Sequence, residues 1–309
     1  MTDTDLAYWL RCSQLPLAVV LGTNEIASAV AVSLIAAGYS TILSHDPFPP
    51  VMRRAMAFHD ALFGDRAVVE RVEGERAETA MEIAVILAKP DHVVVTPLQL
   101  TDLIAMFSIN VLVDARMQKH RVTPDFRGLA DVTIGLGPHF AIGVNCDAGV
   151  ETRPAKNGTV VSIGRTDLAD GVARSLGGAG AERFVYSDRQ GRWHTPVEIG
   201  MRIFKGFVVG HLDGRPVSAP IDGVLRGLVR DSTSVPAGVK LLEIDARGRD
   251  ARWTGTDERG RAIAEATTAA IRPRALRPAI QHLAASPLLI RGDARTTGMA
   301  RVTFDEKPG

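Results

Sequence analysis

Cysteine is almost absent: Cys12 and Cys146 are the only two in 309 residues, and they stand far apart. That scarcity argues against a disulfide scaffold and against a Cys-based zinc site. An excess of one charge sign is also missing. The formal net charge is +1, with the arginines matched by carboxylates rather than gathered in a block. Nothing in that balance points to a nucleic-acid or membrane-surface partner. Long hydrophobic runs are lacking too, since stretches such as Ile26 to Ala37 are too short and interrupted to cross a bilayer. Residues Met1 to Leu10 carry Asp3 and Asp5 and no basic segment, unlike a secretory signal. The expected location is the cytoplasm, with no membrane partner. No nucleophile elbow, HExxH pair, Walker A loop or EF-hand loop occurs. Hydrolase and kinase readings lack support, and neither a metal site nor a catalytic residue is assigned.

What is present is ample apolar material, 46% of the chain, enough for a sizeable core. Leu17 to Leu21 is a short apolar run ended by Gly22. Ile26 to Ala37 reads as a helix closed by Gly38, and Ser40 to Leu43 as a second strand. Strand, glycine turn, helix and strand in under about thirty residues make a βαβ unit, which predicts a parallel sheet. The alternation continues to about residue 150. Val51 to Phe63 reads as a helix and Ala67 to Val72 as a strand. Ala77 to Ala88 reads as a helix with Met81, Val85 and Ala88 on one face. Val93 to Val95, Val111 to Val113 and Val132 to Ile134 read as buried strands, with a helix over Pro97 to Phe107. The predicted fold class is α/β: a Rossmann-like doubly wound parallel sheet over 1–160, followed by a smaller β-rich domain. Residues 161–195 read as a linker or irregular excursion, 196–250 as the β-rich domain, and 251–309 as a helix (Glu258 to Ile271, stopped before Pro273) and tail.

Candidate ligand residues gather at predicted strand ends. Gly22-Thr-Asn-Glu-Ile-Ala27 would turn the backbone tightly and offer helix N–H groups to an anion. Asp46, 24 residues past Gly22, suits a ribose hydroxyl. Against the G-x-G-x-x-G fingerprint, Asn24 replaces the second glycine and Ala27 the third; Ala is compatible, whereas Asn would crowd a pyrophosphate. The same turn also fits a βαβ crossover that binds nothing. Asp114, Arg116 and Lys119 should emerge at the carboxyl edge, as an anion site or as an ordinary surface ion pair. Gly135 and Gly137 would bring main-chain N–H groups to the same edge, with His139 beside them and Asn145, Asp147, Glu151 and Thr152 continuing the rim. Cys146 is read as a small buried hydrophobe rather than a reactive thiol.

These segments resemble the bacterial YqeB-like family, accessory proteins associated with selenium-dependent molybdenum hydroxylases and akin in role to xanthine dehydrogenase accessory factors. The resemblance rests on Gly22 to Ala31, Val113-Asp-Ala-Arg-Met-Gln-Lys119, Ile134 to Val144, Val150-Glu-Thr152, Pro216 to Val229 and Glu258 to Ile263. Departures are Gly22-Thr-Asn-Glu-Ile-Ala27, where the family has Gly-x-Gly-Asp-Leu-Ala, and Arg153 to Gly158, where it carries an Arg-Gly-His-type run. The resemblance does not carry selenium dependence to this chain. The β-rich part is similar to a biotinyl/lipoyl-type barrel-sandwich domain whose hairpin, His211 to Pro216, lacks the carrier lysine.

The resemblance implies a maturation or accessory protein for a molybdenum-containing hydroxylase as client. It would bind molybdenum cofactor (molybdopterin), a nucleotide or another small phosphate-bearing ligand. The expected ligand residues are Gly22, Asn24, Ala27, Asp46, Asp114, Arg116, Lys119, Gly135, Gly137 and Glu151. Two other readings stay open: an NAD(P)-dependent oxidoreductase, and a non-catalytic scaffold with an empty Rossmann fold. The sequence also leaves a homo-oligomer open.

Overall fold

The computed structural model describes residues 15–118 and 123–275. Cys12, Lys119 and the tail expected beyond the last helix lie outside them.

Strand β1 (Leu17–Leu21) is buried at every position, as a strand covered on both faces must be. Helix α1 (Glu25–Ala36) follows at once because Asn24 caps it. The Asn24 Oδ1 accepts from the amides of Ile26 (2.9 Å) and Ala27 (3.0 Å). The chain returns through β2 (Ser40–Ser44), parallel to β1. Residues 51–63, read from sequence as a helix, form only two 3₁₀ turns, Arg54–Met56 and His59–Phe63. The expected single strand after them is a hairpin, β3 (Ala67–Val69) and β4 (Val72–Arg76), turning at Glu70 with φ 54°.

Helix α2 (Ala80–Leu87) carries a capping box from Thr79 and Glu82. It buries Ile83 and Ile86; of the residues read as sharing one apolar face, Ala88 is buried, whereas Met81 and Val85 are 63% and 45% exposed. Strand β5 (His92–Thr96), helix α3 (Leu100–Met106), β6 (Val111–Asp114), β7 (Val132–Leu136), β8 (Ala148–Val150) and β9 (Val160–Val161) complete this part.

These strands form one nine-stranded sheet in the order β3-β4-β5-β2-β1-β6-β7-β8-β9. Pairing is parallel from β4 to β8 and antiparallel at both edges. Alternate side chains enter opposite layers: Ala18 and Val20 join one apolar cluster, Leu17, Val19 and Leu21 another. Helix α1 contributes Ile26, Val30 and Leu34 to the first cluster, while Ile83 of α2 and Leu103 of α3 belong to the second. The chain leaves β1 toward β2 and β5 on one side, then resumes with β6 on the other. Such a reversal opens a crevice at the carboxyl ends of the strands.

Residues 161–195 hold two further strands, β10 (Phe184–Tyr186) and β11 (Gly191–His194). With β12 (Arg202–Ile203), β13 (Val208–Leu212), β14 (Arg215–Ser218), β15 (Gly223–Leu228), β16 (Ser234–Val235) and β17 (Lys240–Asp245) they build two four-stranded antiparallel sheets. The orders are β10-β17-β15-β12 and β14-β13-β11-β16. Their shared core includes Trp193, Leu212, Leu225 and Leu241. Trp193 is fully buried, and its indole N–H donates to the Val229 carbonyl at 3.1 Å.

Helix α4 (Glu258–Ala275) runs beyond the expected stop before Pro273 and packs on α1, β7 and β8. Asp257 caps it, accepting from the Gly260 amide at 2.8 Å. Among the described residues no helix is long and apolar enough to cross a membrane.

Candidate functional site: an arginine-lined cavity at the carboxyl edge of the sheet

Register brings the expected rim together. Leu21 pairs with Asp114, Asp114 with Gly135, and Leu136 with Val150, so the carboxyl ends of β1, β6, β7 and β8 stand level. The protein's own groups fill much of that rim. The α1 amides expected to face an anion are taken by Asn24, whose Nδ2 also donates to the Ala115 carbonyl at 2.8 Å. Ala27 is fully buried within α1. Gly22 adopts φ 108°, and a Cβ there would stand 3.1 Å from the Ala115 carbonyl oxygen. It is a turn glycine pressed against the adjoining strand end. Asp46 accepts from the Phe48 amide and from Gln118 Nε2, both at 2.8 Å. Asp114 and Arg116 form a two-pronged pair (3.0 and 2.7 Å), with the guanidinium over the Phe126 ring.

Gly135 serves packing: a Cβ there would fall 2.0 Å from the Phe140 ring. Gly135→Ala is therefore expected to lower stability by about 1–3 kcal/mol through overpacking, read as an earlier midpoint in urea. An unchanged midpoint would return Gly135 to a ligand-facing role. Gly137, with φ 91°, lies against Thr152 Oγ1. Glu151 is buried; its Oε1 accepts from the Asp167 amide at 2.7 Å, and its Oε2 has no hydrogen-bond partner.

The open space lies one residue further along each strand end. A cavity of about 890 Å³ is lined by Met117, Pro138 and Thr152, the immediate neighbours of Arg116, Gly137 and Glu151. Its opposite wall comes from the antiparallel sheets and the start of α4. Ten arginines and Lys240 line it against six carboxylates.

Glu243 of β17 is among the lining residues and is fully buried. It accepts from Arg53 Nε (2.7 Å), Arg53 Nη2 (3.1 Å) and Arg183 Nε (3.1 Å). Burial opposes its charge, but the Arg53 guanidinium and the other cations outweigh that and hold its carboxyl below the usual range. Arg53 also reaches Glu25 at 3.0 Å. Burial likewise opposes the Arg53 charge, yet the attraction of Glu243 and Glu25 raises its pKa.

Two arginines are less well matched. Arg226 of β15, only 3% exposed, donates to Asp257 Oδ2 (2.7 Å) and the Arg252 carbonyl (2.9 Å); its buried Nε–H has no hydrogen-bond partner, with Glu243 Oε2 3.9 Å away. Burial and the like charge of Arg53 push its pKa down. Arg259 of α4 makes one long hydrogen bond, to the Thr152 carbonyl at 3.4 Å, and no ion pair among the described residues. Burial lowers its pKa too. Arginine does not deprotonate in proteins. The lowered pKa of both therefore reflects burial that the neighbouring carboxylates offset only in part.

Around Glu243, five guanidiniums (Arg53, Arg183, Arg226, Arg247 and Arg259) face four carboxylates (Glu25, Glu243, Asp245 and Asp257). Sequence reading missed this cluster because its members come from distant segments and form no local motif. The recurrence of arginine between 153 and 261 is the one available signal.

No family model matches the chain. Among curated proteins it is similar to the uncharacterized protein YqeB of Escherichia coli (strain K12), 31% identical over 248 residues. That match covers 80% of this chain and 46% of the relative, so the chain spans about half the relative's length. Among solved structures, the ectoine utilization protein EutE (DoeB) from Ruegeria pomeroyi is 10% identical, over 75% of this chain and 86% of that one, with a TM-score of 0.22. An aspartoacylase family protein from Mesorhizobium loti is 8% identical over the same shares, with a TM-score of 0.23. Likeness at that level says nothing of fold or chemistry.

Proposed function

The chain belongs to the YqeB-like family, and on that footing we propose that it is a cytoplasmic accessory protein that holds a phosphate-bearing ligand for a molybdenum-containing hydroxylase. In this reading the ligand is molybdenum cofactor or a nucleotide, and the nine-stranded sheet is a doubly wound sheet of Rossmann type. The two antiparallel sheets form a barrel-sandwich module that docks the client enzyme.

One observation carries the ligand assignment: a cavity at the carboxyl edge holds a buried arginine with an unsatisfied N–H and a second arginine with no carboxylate partner. Such groups favour an anion there, since a charge-assisted hydrogen bond to a buried guanidinium is strong. Arg226 and Arg259 grip the phosphate, Glu243 fixes Arg53 and Arg183 behind them, and Thr152 and Pro138 form the sheet-side wall. When bound, the molybdenum cofactor would supply the redox centre of the client; this chain's residues bind and orient its phosphate.

Protein purified from cells that make molybdenum cofactor is expected to release a phosphorylated pterin or a nucleotide on denaturation. Arg259→Ala should weaken retention by about 1.5–3 kcal/mol, roughly ten- to 150-fold, with little change in stability. Equal retention by both proteins, or none by either, would overturn the assignment.

A further inference from the structure

The cavity's charge bears on how many anionic groups its ligand carries, an inference that rests on the anion-binding reading above. The lining has five more cations than carboxylates. Two carboxylates behind the wall, Glu25 and Asp245, offset part of that surplus through Arg53 and Arg247. Three positive charges remain. A phosphomonoester brings at most about two negative charges, which leaves the site undercompensated.

The cations also divide by depth. Arg226 is buried and Arg259 half-buried, whereas Arg249, Arg252 and Arg261 are exposed at the cavity wall. Their side chains make no hydrogen bond or ion pair with any described residue, although Asp250 and Glu258 lie on the same wall. Arg249 and Arg252 follow β17, and Arg261 lies in the first turn of α4. An inner and an outer set of cations fit two linked anionic groups better than one.

We infer that the cavity takes a diphosphate, with one phosphate on Arg226 and Arg259 and the other on Arg249 and Arg252. The ligand class is then an organic diphosphate with a free terminal phosphate, such as a nucleoside diphosphate.

Titration calorimetry with inorganic pyrophosphate and orthophosphate tests this on the full chain. Pyrophosphate is expected to bind at least tenfold more tightly than orthophosphate. In the exposed-site double variant Arg249→Ala/Arg252→Ala that preference should collapse toward one, while Arg259→Ala should weaken both ions. Equal affinity of the wild-type chain for the two ions, or an undiminished preference in the double variant, would overturn the diphosphate inference and leave the anion cavity standing. Failure of both ions to bind the wild-type chain would remove both proposals.

Discussion

Glu243→Ala is expected to destabilise the protein by about 3–5 kcal/mol, the cost of stranding buried cations without their counter-charge. The carboxylate is fully buried and accepts three hydrogen bonds from Arg53 and Arg183. Its removal leaves those guanidiniums near Arg226, whose buried charge Glu243 also helps to offset. Glu243→Gln should lose less, because the amide oxygen still accepts from one guanidinium. Urea unfolding of the three proteins gives the comparison. A loss below about 1 kcal/mol in Glu243→Ala would mean that water reaches the cluster freely, and its central role would fall.

The second large effect is on pH. His59 is 6% exposed, with Nδ1 3.0 Å from the Thr23 hydroxyl, which also lies 3.2 Å from His45 Nδ1. Burial, then the nearby His45, Arg54 and Arg230, push its pKa down from 6.5 to about 3. Below pH 6.5 the unfolded chain therefore binds a proton that the folded chain refuses. Stability from the neutral ring is complete above 6.5 and is lost as the pH falls toward 3. The slope approaches 1.4 kcal/mol per pH unit, so acidification from pH 6.5 to 4.5 costs roughly 2–3 kcal/mol. His59→Asn keeps a polar partner for Thr23 and removes the titration. Its stability should fall less steeply over pH 6.5–5, where carboxylates still contribute little. Parallel slopes for the two proteins would show that His59 titrates normally.

The parallel strands were legible because each is a short apolar run between polar or glycine breaks. β1, β2, β5, β6 and β7 stand where that pattern puts them. The β3–β4 hairpin was not, since it turns at Glu70-Arg71 without glycine, proline or asparagine. Apolar spacing over Val51 to Phe63 imitates a helix, yet those residues pack as separate 3₁₀ turns beneath the sheet edge. In α2 the inner face is Ile83 and Ile86, a choice made by the neighbouring β5 and not by hydrophobicity alone. The glycines read as site residues stand at the edge of the sheet beside the cavity, but they do not face its open space. Gly135 accommodates Phe140 and Asn24 closes its own helix, requirements of packing and capping that a one-dimensional pattern does not distinguish from ligand contact.

Arg53 and Glu243, which hold each other in the lining of the cavity, stand 190 positions apart in the chain, and Asp257 joins Arg226 of one sheet system to the helix that covers the other. No fragment contains the whole constellation, so any ligand the cavity takes would bind only the completed fold. A ligand at a hundred times its Kd would add about 2.7 kcal/mol to global stability. The cell's supply of that ligand would thereby govern how long the finished chain survives.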